Sequence, residues 1–89
     1  MDFSFSTEVA SELKKLKHKQ PLLFKKIQKQ LKTFKDNIKH PSLRTHKLKG
    51  NLSSTWSISI EGNVRMIYTI KNKGALFFKI GNHDKVYRK

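Results

Sequence analysis

Val64-Arg65-Met66-Ile67-Tyr68-Thr69-Ile70 decides how the rest of the chain is read. β-Branched and aromatic residues dominate it, so it reads as a β-strand. Alternation along a strand puts Val64, Met66, Tyr68 and Ile70 on one face and Arg65, Ile67 and Thr69 on the other. One apolar face and one face carrying an arginine predict a central strand with helices on one side and a working surface on the other.

Working outward, Trp56-Ser57-Ile58-Ser59-Ile60 alternates strictly, and Glu61-Gly62-Asn63 makes a hairpin turn into the central strand. Lys71-Asn72-Lys73-Gly74 is a second turn. Ala75-Leu76-Phe77-Phe78-Lys79-Ile80 is the next strand, expected to be apolar at Leu76, Phe78 and Ile80. Gly81 to Asp84 forms an exit loop, and Lys85 to Lys89 a tail. On this reading the wet face carries Ser57, Ser59, Arg65, Thr69 and Lys79, with Ile67 and Phe77 among them. A short sheet covered on one side leaves such a face open to water or to a ligand.

The N-terminal half is helical. Phe3 and Phe5 alternate with polar residues as a short first strand. Ser6 or Thr7 caps a helix whose Glu8 and Glu12 lie early and whose Lys14, Lys15, Lys17 and His18 lie late, as the helix dipole favours. Val9, Leu13 and Leu16 give its apolar stripe. Pro21 opens a second helix with Leu23, Ile27, Leu31, Phe34 and Ile38 at helical spacing, ended by His40-Pro41. Lys25, Lys29 and Lys32 fall outside that stripe and Lys26 and Lys35 at its margins, a solvated basic face. The short link makes an antiparallel helical hairpin. Pro41 to Lys49 is a basic connector with Leu48 as its apolar contact. The order β-α-α-β-β-β, with room for one more strand, predicts an α+β domain. Its helical hairpin packs on one face of a small, mainly antiparallel sheet, and residues 1–89 form one domain.

Composition narrows the function. Twenty Lys+Arg against six Asp+Glu give a net charge of +14 in 89 residues. Such a chain attracts polyanions: nucleic acid first, an acidic protein second, a membrane surface third. It contains no cysteine, which excludes a disulfide scaffold and thiol chemistry and fits a reducing cytosol. The N-terminus lacks the pattern of a signal peptide, and no stretch approaches the ~18 apolar residues of a membrane span. No zinc motif, P-loop or nucleotide-binding glycine fingerprint is present, and His46 and His83 with Asp84 lack metal-site spacing. No cofactor is expected.

Several polar groups fall near the open face. Arg65 projects from its middle; His83, Asp84 and Tyr87 follow the last strand; Arg44, His46, Lys47 and Lys49 lie on the connector. RNA cleavage needs no metal when the neighbouring 2′-hydroxyl attacks the phosphorus. It needs a base for that hydroxyl, an acid for the leaving 5′-oxygen and cations for the phosphate. Histidine suits the acid or base, and arginine suits the phosphate. Tyr87 or Trp56 offers a surface for a stacked base. Spacing alone leaves a plain alternative open: a turn histidine, a packed tyrosine and an arginine paired with an acid.

With these residues the sequence resembles the RelE/ParE superfamily of bacterial toxins, nearest its YafQ-like mRNA interferase branch. The matching segments are His46-Lys47-Leu48-Lys49-Gly50, then Trp56, then Asn63-Val64-Arg65-Met66-Ile67-Tyr68, then Ile80-Gly81-Asn82-His83-Asp84-Lys85-Val86-Tyr87. The resemblance implies a cytoplasmic toxin of a type II toxin–antitoxin system, made beside an acidic cognate antitoxin. It implies a metal-independent endoribonuclease that cuts mRNA in the ribosomal A site. It assigns His83 as general acid, His46 as base or phosphate ligand, Arg65 to the scissile phosphate, and Tyr87 to base stacking or proton relay. Arg44, Lys47, Lys49, Trp56, Lys79 and Asp84 are the expected RNA contacts. Ser57 and Ser59 stand where RelE-like members carry lysines. The further histidine near Ser59 and the acid near Asn63 of YafQ-like members are absent. A ParE-like gyrase inhibitor and a non-catalytic RNA-binding module of the same fold remain the alternatives.

Overall fold

A computed structural model describes residues 1–48 and 54–82. Within them the chain runs β1 (Phe3–Phe5), α1 (Thr7–Lys19), α2 (Pro21–Asp36), a 3-10 turn (Pro41–Leu43), β2 (His46–Lys47), β3 (Thr55–Glu61), β4 (Val64–Lys71) and β5 (Gly74–Asn82). The five strands form one sheet in the order β1-β5-β4-β3-β2. β1 runs parallel to β5, and the other neighbours are antiparallel. The α+β expectation therefore holds, with β2 as the extra strand, built from the connector. Val64–Lys71 is central, flanked by β3 and β5.

The helix ends follow local chemistry. Ser6 Oγ accepts the Val9 N–H at 3.1 Å and caps α1. Pro21 stands at the first position of α2, where its missing N–H costs nothing. α2 stops at Asp36, earlier than His40-Pro41 predicts, because Asn37 leaves helical geometry and its N–H closes on the Thr33 carbonyl at 2.7 Å. Ile38 still packs against the core from beyond the helix. Lys25, Lys26, Lys29, Lys32 and Lys35 are all exposed, as a solvated basic face requires.

One core lies between the helices and the sheet. Val9 and Leu16 of α1 and Ile27, Leu31 and Phe34 of α2 meet Ile58, Ile60, Met66, Tyr68, Phe77 and Ile80. Phe34 is fully buried, with its ring centroid 5.1 Å from Tyr68 and 5.2 Å from Phe77. Gln30, also buried, lies on the same stripe between Ile27 and Phe34. Its Nε2 donates to the Ser42 carbonyl at 3.1 Å and the Ser59 carbonyl at 2.8 Å. It thus ties α2 to the 3-10 turn and to β3.

The alternation expected of β5 is corrected. Tyr68 pairs with Phe77 but Ile67 pairs with Lys79, so Phe78 is an extra residue, a β-bulge. Before the bulge Ala75 and Phe77 face the helices; after it Ile80 does. Phe78 instead packs against Leu48 and Ile67 in a small second cluster. Leu76 is half-buried outside the main core, and Ile70, near the hairpin tip, is exposed rather than covered.

Both hairpin turns use backbone that favours small or polar residues. Gly62 has φ +47°, where a Cβ would be strained. Asn72 (φ 52°) and Lys73 (φ 67°) form a two-residue loop with both residues left-handed, the type I′ pattern that matches strand twist.

Tyr68 gives a pH prediction. Burial pushes its phenol above the ordinary value of 10.0. A neutral acid whose folded pKa is raised contributes stability that is complete below the unfolded pKa. That stability is lost as pH rises past it, because the unfolded chain ionises first. The wild-type chain should lose stability faster than Tyr68→Phe as pH climbs through 10, in denaturant titrations run side by side. Lysine deprotonation is common to both proteins and cancels in the comparison.

Candidate active site

The face away from the helices is built in cross-strand rows, because directly paired residues share a side of the sheet. One row runs His46–Ser57–Ile67–Lys79 across β2, β3, β4 and β5. The next runs Ser59–Arg65–Gly81. His46 is exposed on the edge strand, and Lys79 is half-buried. Lys79 also lines a cleft of about 300 Å³ with Glu8 and Glu12 of α1.

Arg65 occupies the centre and is 8% exposed. Its Nε donates to Ser57 Oγ at 3.2 Å, and its Nη2 to the Arg44 carbonyl at 2.8 Å. Arg44 is left-handed (φ 43°) at the end of the 3-10 turn, which aims its carbonyl inward while the residue itself stays exposed. Both acceptors are neutral, so they orient the guanidinium without cancelling its charge. They use two of the five N–H groups of the fork. Across the β4–β5 pairing Arg65 faces Gly81, so no cross-strand side chain crowds that flank.

This face is drier than its polar sequence suggests. Leu48 and Ile67, with Phe78, cover part of it, and Ser57 is fully buried. Leu48 is fixed there by its N–H bond to the Thr55 carbonyl at 2.9 Å. The helices lie on the opposite side and do not cover it.

Sequence reasoning named four catalytic and six RNA-contact residues. The structure brings Arg65, His46 and Ser57 onto one face and leaves Lys79 at its far side. It takes Lys47 and Trp56 to the other face: they pair with each other, and Trp56 packs on the helix-side core. The Lys47 Nζ sits 5.8 Å from the Trp56 ring centroid. Arg44 contributes a carbonyl. His83, Asp84, Tyr87 and Lys49 lie outside the described residues. Ser57 was missed as a functional group. Its signal was visible only as a hydroxyl one strand away from Arg65 on the same face. Among the described residues no group of histidine and acidic side chains could hold a metal ion.

This sheet, with its helical hairpin on one side, is the fold of small bacterial toxins. It is similar to the YoeB/ParE toxin from Agrobacterium tumefaciens, with a TM-score of 0.79 at 15% identity over 93% of this chain and 99% of that one. It is likewise similar to YoeB in a YoeB–YefM complex from Staphylococcus aureus (0.71, 23%, 93% and 97%). A third match is the DinJ–YafQ complex of E. coli (0.69, 18%, 97% and 97%). Residues 1–88 match the family of the bacterial toxin of the type II toxin–antitoxin system, YafQ, and the chain belongs to it. No curated protein matches the chain. No helix among the described residues is long and apolar enough to cross a membrane.

Proposed function

We propose that this toxin is a metal-independent endoribonuclease that cuts mRNA, in the ribosomal A site, acting as one domain over residues 1–89. The observation that carries the reading is the Arg65 guanidinium. It is held on the sheet face away from the helices by Ser57 and the Arg44 carbonyl, and among the described residues it keeps N–H groups and a full charge for an anion. His46 belongs to the adjacent row. Asn82, which pairs with Val64, leads directly into His83 in the chain.

In the reaction a base takes the 2′-hydroxyl proton and the 2′-oxygen bonds to phosphorus. The bond to the 5′-oxygen breaks, leaving a 2′,3′-cyclic phosphate, and the acid supplies the proton of the new 5′-hydroxyl. Arg65 stabilises the charge that builds on the phosphate oxygens, an effect preorganised donors supply strongly in a partly dry site. His83 is the acid, and His46 the base or a second phosphate ligand. Tyr87 stacks on a base or relays a proton, and Arg44, Lys49, Lys79 and Asp84 guide the strand.

The neighbours in complex with YefM and DinJ support an antitoxin partner for this chain too. With +14 on 89 residues, the partner is acidic.

Inducing the chain alone and mapping transcript ends tests the reading. New ends within codons of translated messages are expected, and His83→Ala should remove them. Intact transcripts with DNA breaks would instead establish gyrase poisoning.

A further inference from the structure

A row of side chains crosses the helix side of the sheet, one from each strand: Phe5, Phe77, Tyr68, Trp56 and Lys47. Burial falls off along it. Phe77 and Tyr68 are buried, Trp56 is half-buried and Lys47 is exposed. α2 stops at Asp36, and the chain beyond it, from Ile38 to Thr45, borders the sheet at Trp56 and Tyr68. There a cleft of about 440 Å³ opens, lined by Ile38, Lys39, His40, Thr45, Trp56 and Tyr68. None of these is acidic, and Lys47 adds a further cation at the rim.

The indole is set up as a stacking platform. Trp56 stacks on Tyr68 at 5.8 Å with 19° between the rings. That fixes its plane and holds one face. On the β2 side the Lys47 ammonium lies over the ring. Lys47 is exposed, so a planar group can take its place, since base stacking on an indole outweighs an exposed cation–π contact. The displaced ammonium is then free for a phosphate. His40 Nδ1 accepts the Ser42 N–H at 3.1 Å, so the neutral ring carries its proton on Nε2, a donor for a base edge.

We propose that this cleft is a second RNA subsite, which stacks one base of a single strand on Trp56. Lys39 and Lys47 hold the flanking phosphates. It rests on the reading of RNA as substrate but uses none of the residues of the Arg65 face. The two faces meet at β2, an edge strand of two residues. His46 belongs to the catalytic row and Lys47 to the aromatic row, so a strand rounding this edge engages both.

Trp56 is the only tryptophan in the chain, so its emission reports on the cleft. The full chain is titrated with a short single-stranded RNA carrying 2′-O-methyl sugars, which cannot be cleaved. Saturable quenching is expected. Arg65→Met, shown by its melting curve to be folded, should still quench at saturation, and Lys39→Ala with Lys47→Ala should weaken the quenching and flatten its salt dependence. Inorganic polyphosphate and polyglutamate can draw off Lys47 but cannot stack, so they should change the emission less than the RNA does. Trp56→Leu, read by anisotropy of a labelled strand, should bind about tenfold more weakly, with a melting curve showing that it is folded.

Unchanged emission with the RNA, or an equal change with polyphosphate or polyglutamate, overturns the proposal. So does loss of quenching in a folded Arg65→Met, which would put a single strand site at the other face. Cleavage without quenching removes this subsite and leaves the nuclease standing; quenching without cleavage does the reverse.

Discussion

Arg65→Met should slow RNA cleavage on the order of 10²–10³-fold, the usual loss when one preorganised charge-stabilising donor is removed, while the protein stays folded. Methionine is the informative replacement. The guanidinium is 8% exposed and braced by Ser57 Oγ and the Arg44 carbonyl. Alanine would remove the packing of the stem as well as the charge. Either replacement withdraws the arginine donor from the Arg44 carbonyl and Ser57 Oγ, at about 1–3 kcal/mol for an acceptor that nothing else satisfies. Methionine keeps most of the stem volume, so it avoids the loss of packing that alanine adds. Arg65→Lys separates charge from geometry. It keeps the cation but presents a point charge where a planar fork stood, so its activity should fall between wild type and Arg65→Met. Single-turnover cleavage and thermal melts on the same preparations read both quantities. If Arg65→Met cleaves at the wild-type rate, the guanidinium is a brace between β3 and the 3-10 turn and the catalytic cation lies elsewhere.

The double role of Arg65 shows where sequence reading reached and where it stopped. Alternation in β4 put Arg65 on the face away from the helices, and the register agrees, because nothing interrupts Val64 to Lys71. Helical spacing in α2 likewise found Ile27, Leu31 and Phe34. It did not reach Gln30, because a glutamine adds nothing to an apolar stripe, although its place between Ile27 and Phe34 puts it on the buried side. β5 misled for a physical reason. Phe77 and Phe78 are both large and apolar, so alternation satisfies itself with either, and only the pairing with β4 shows which one is extra. The doublet followed by Lys79 was the available hint of a bulge. The burial of Arg65 was not legible, because it depends on a carbonyl of Arg44, 21 residues away, and on that residue's left-handed backbone. Alternation in β3 already set Trp56 with Ile58 and Ile60 on the helix side, as found; the split of Lys47 from His46 was legible only in principle. It required recognising that the connector holds a strand of only two residues, too short for any periodicity.

The same accounting puts the largest structural effect at Phe34, whose truncation should take most of the stability with it. Phe34 is fully buried and touches the rings of Phe3, Tyr68 and Phe77. It is therefore the one α2 side chain whose ring contacts reach β1, β4 and β5 together. Phe→Ala in a core costs about 3–5 kcal/mol, the transfer of the ring plus the cavity left behind. Small domains hold only about 5–15 kcal/mol in all, and one of this size loses about 4–8 °C in Tm per kcal/mol. The midpoint of Phe34→Ala should thus fall on the order of 15–30 °C. Leu22→Ala is the control. Leu22 is in the same helix but 78% exposed, so its change should stay within about 0.5 kcal/mol. Phe34→Leu should fall between them, since it refills part of the cavity. The Phe34 ring backs Tyr68, which in turn fixes Trp56. Warming Phe34→Ala should therefore quench the ordered Trp56 signal and RNA cleavage together, at the lowered midpoint. A Phe34→Ala melt within 5 °C of wild type would mean that the helical hairpin does not hold the sheet through this ring, and the core as described would be wrong.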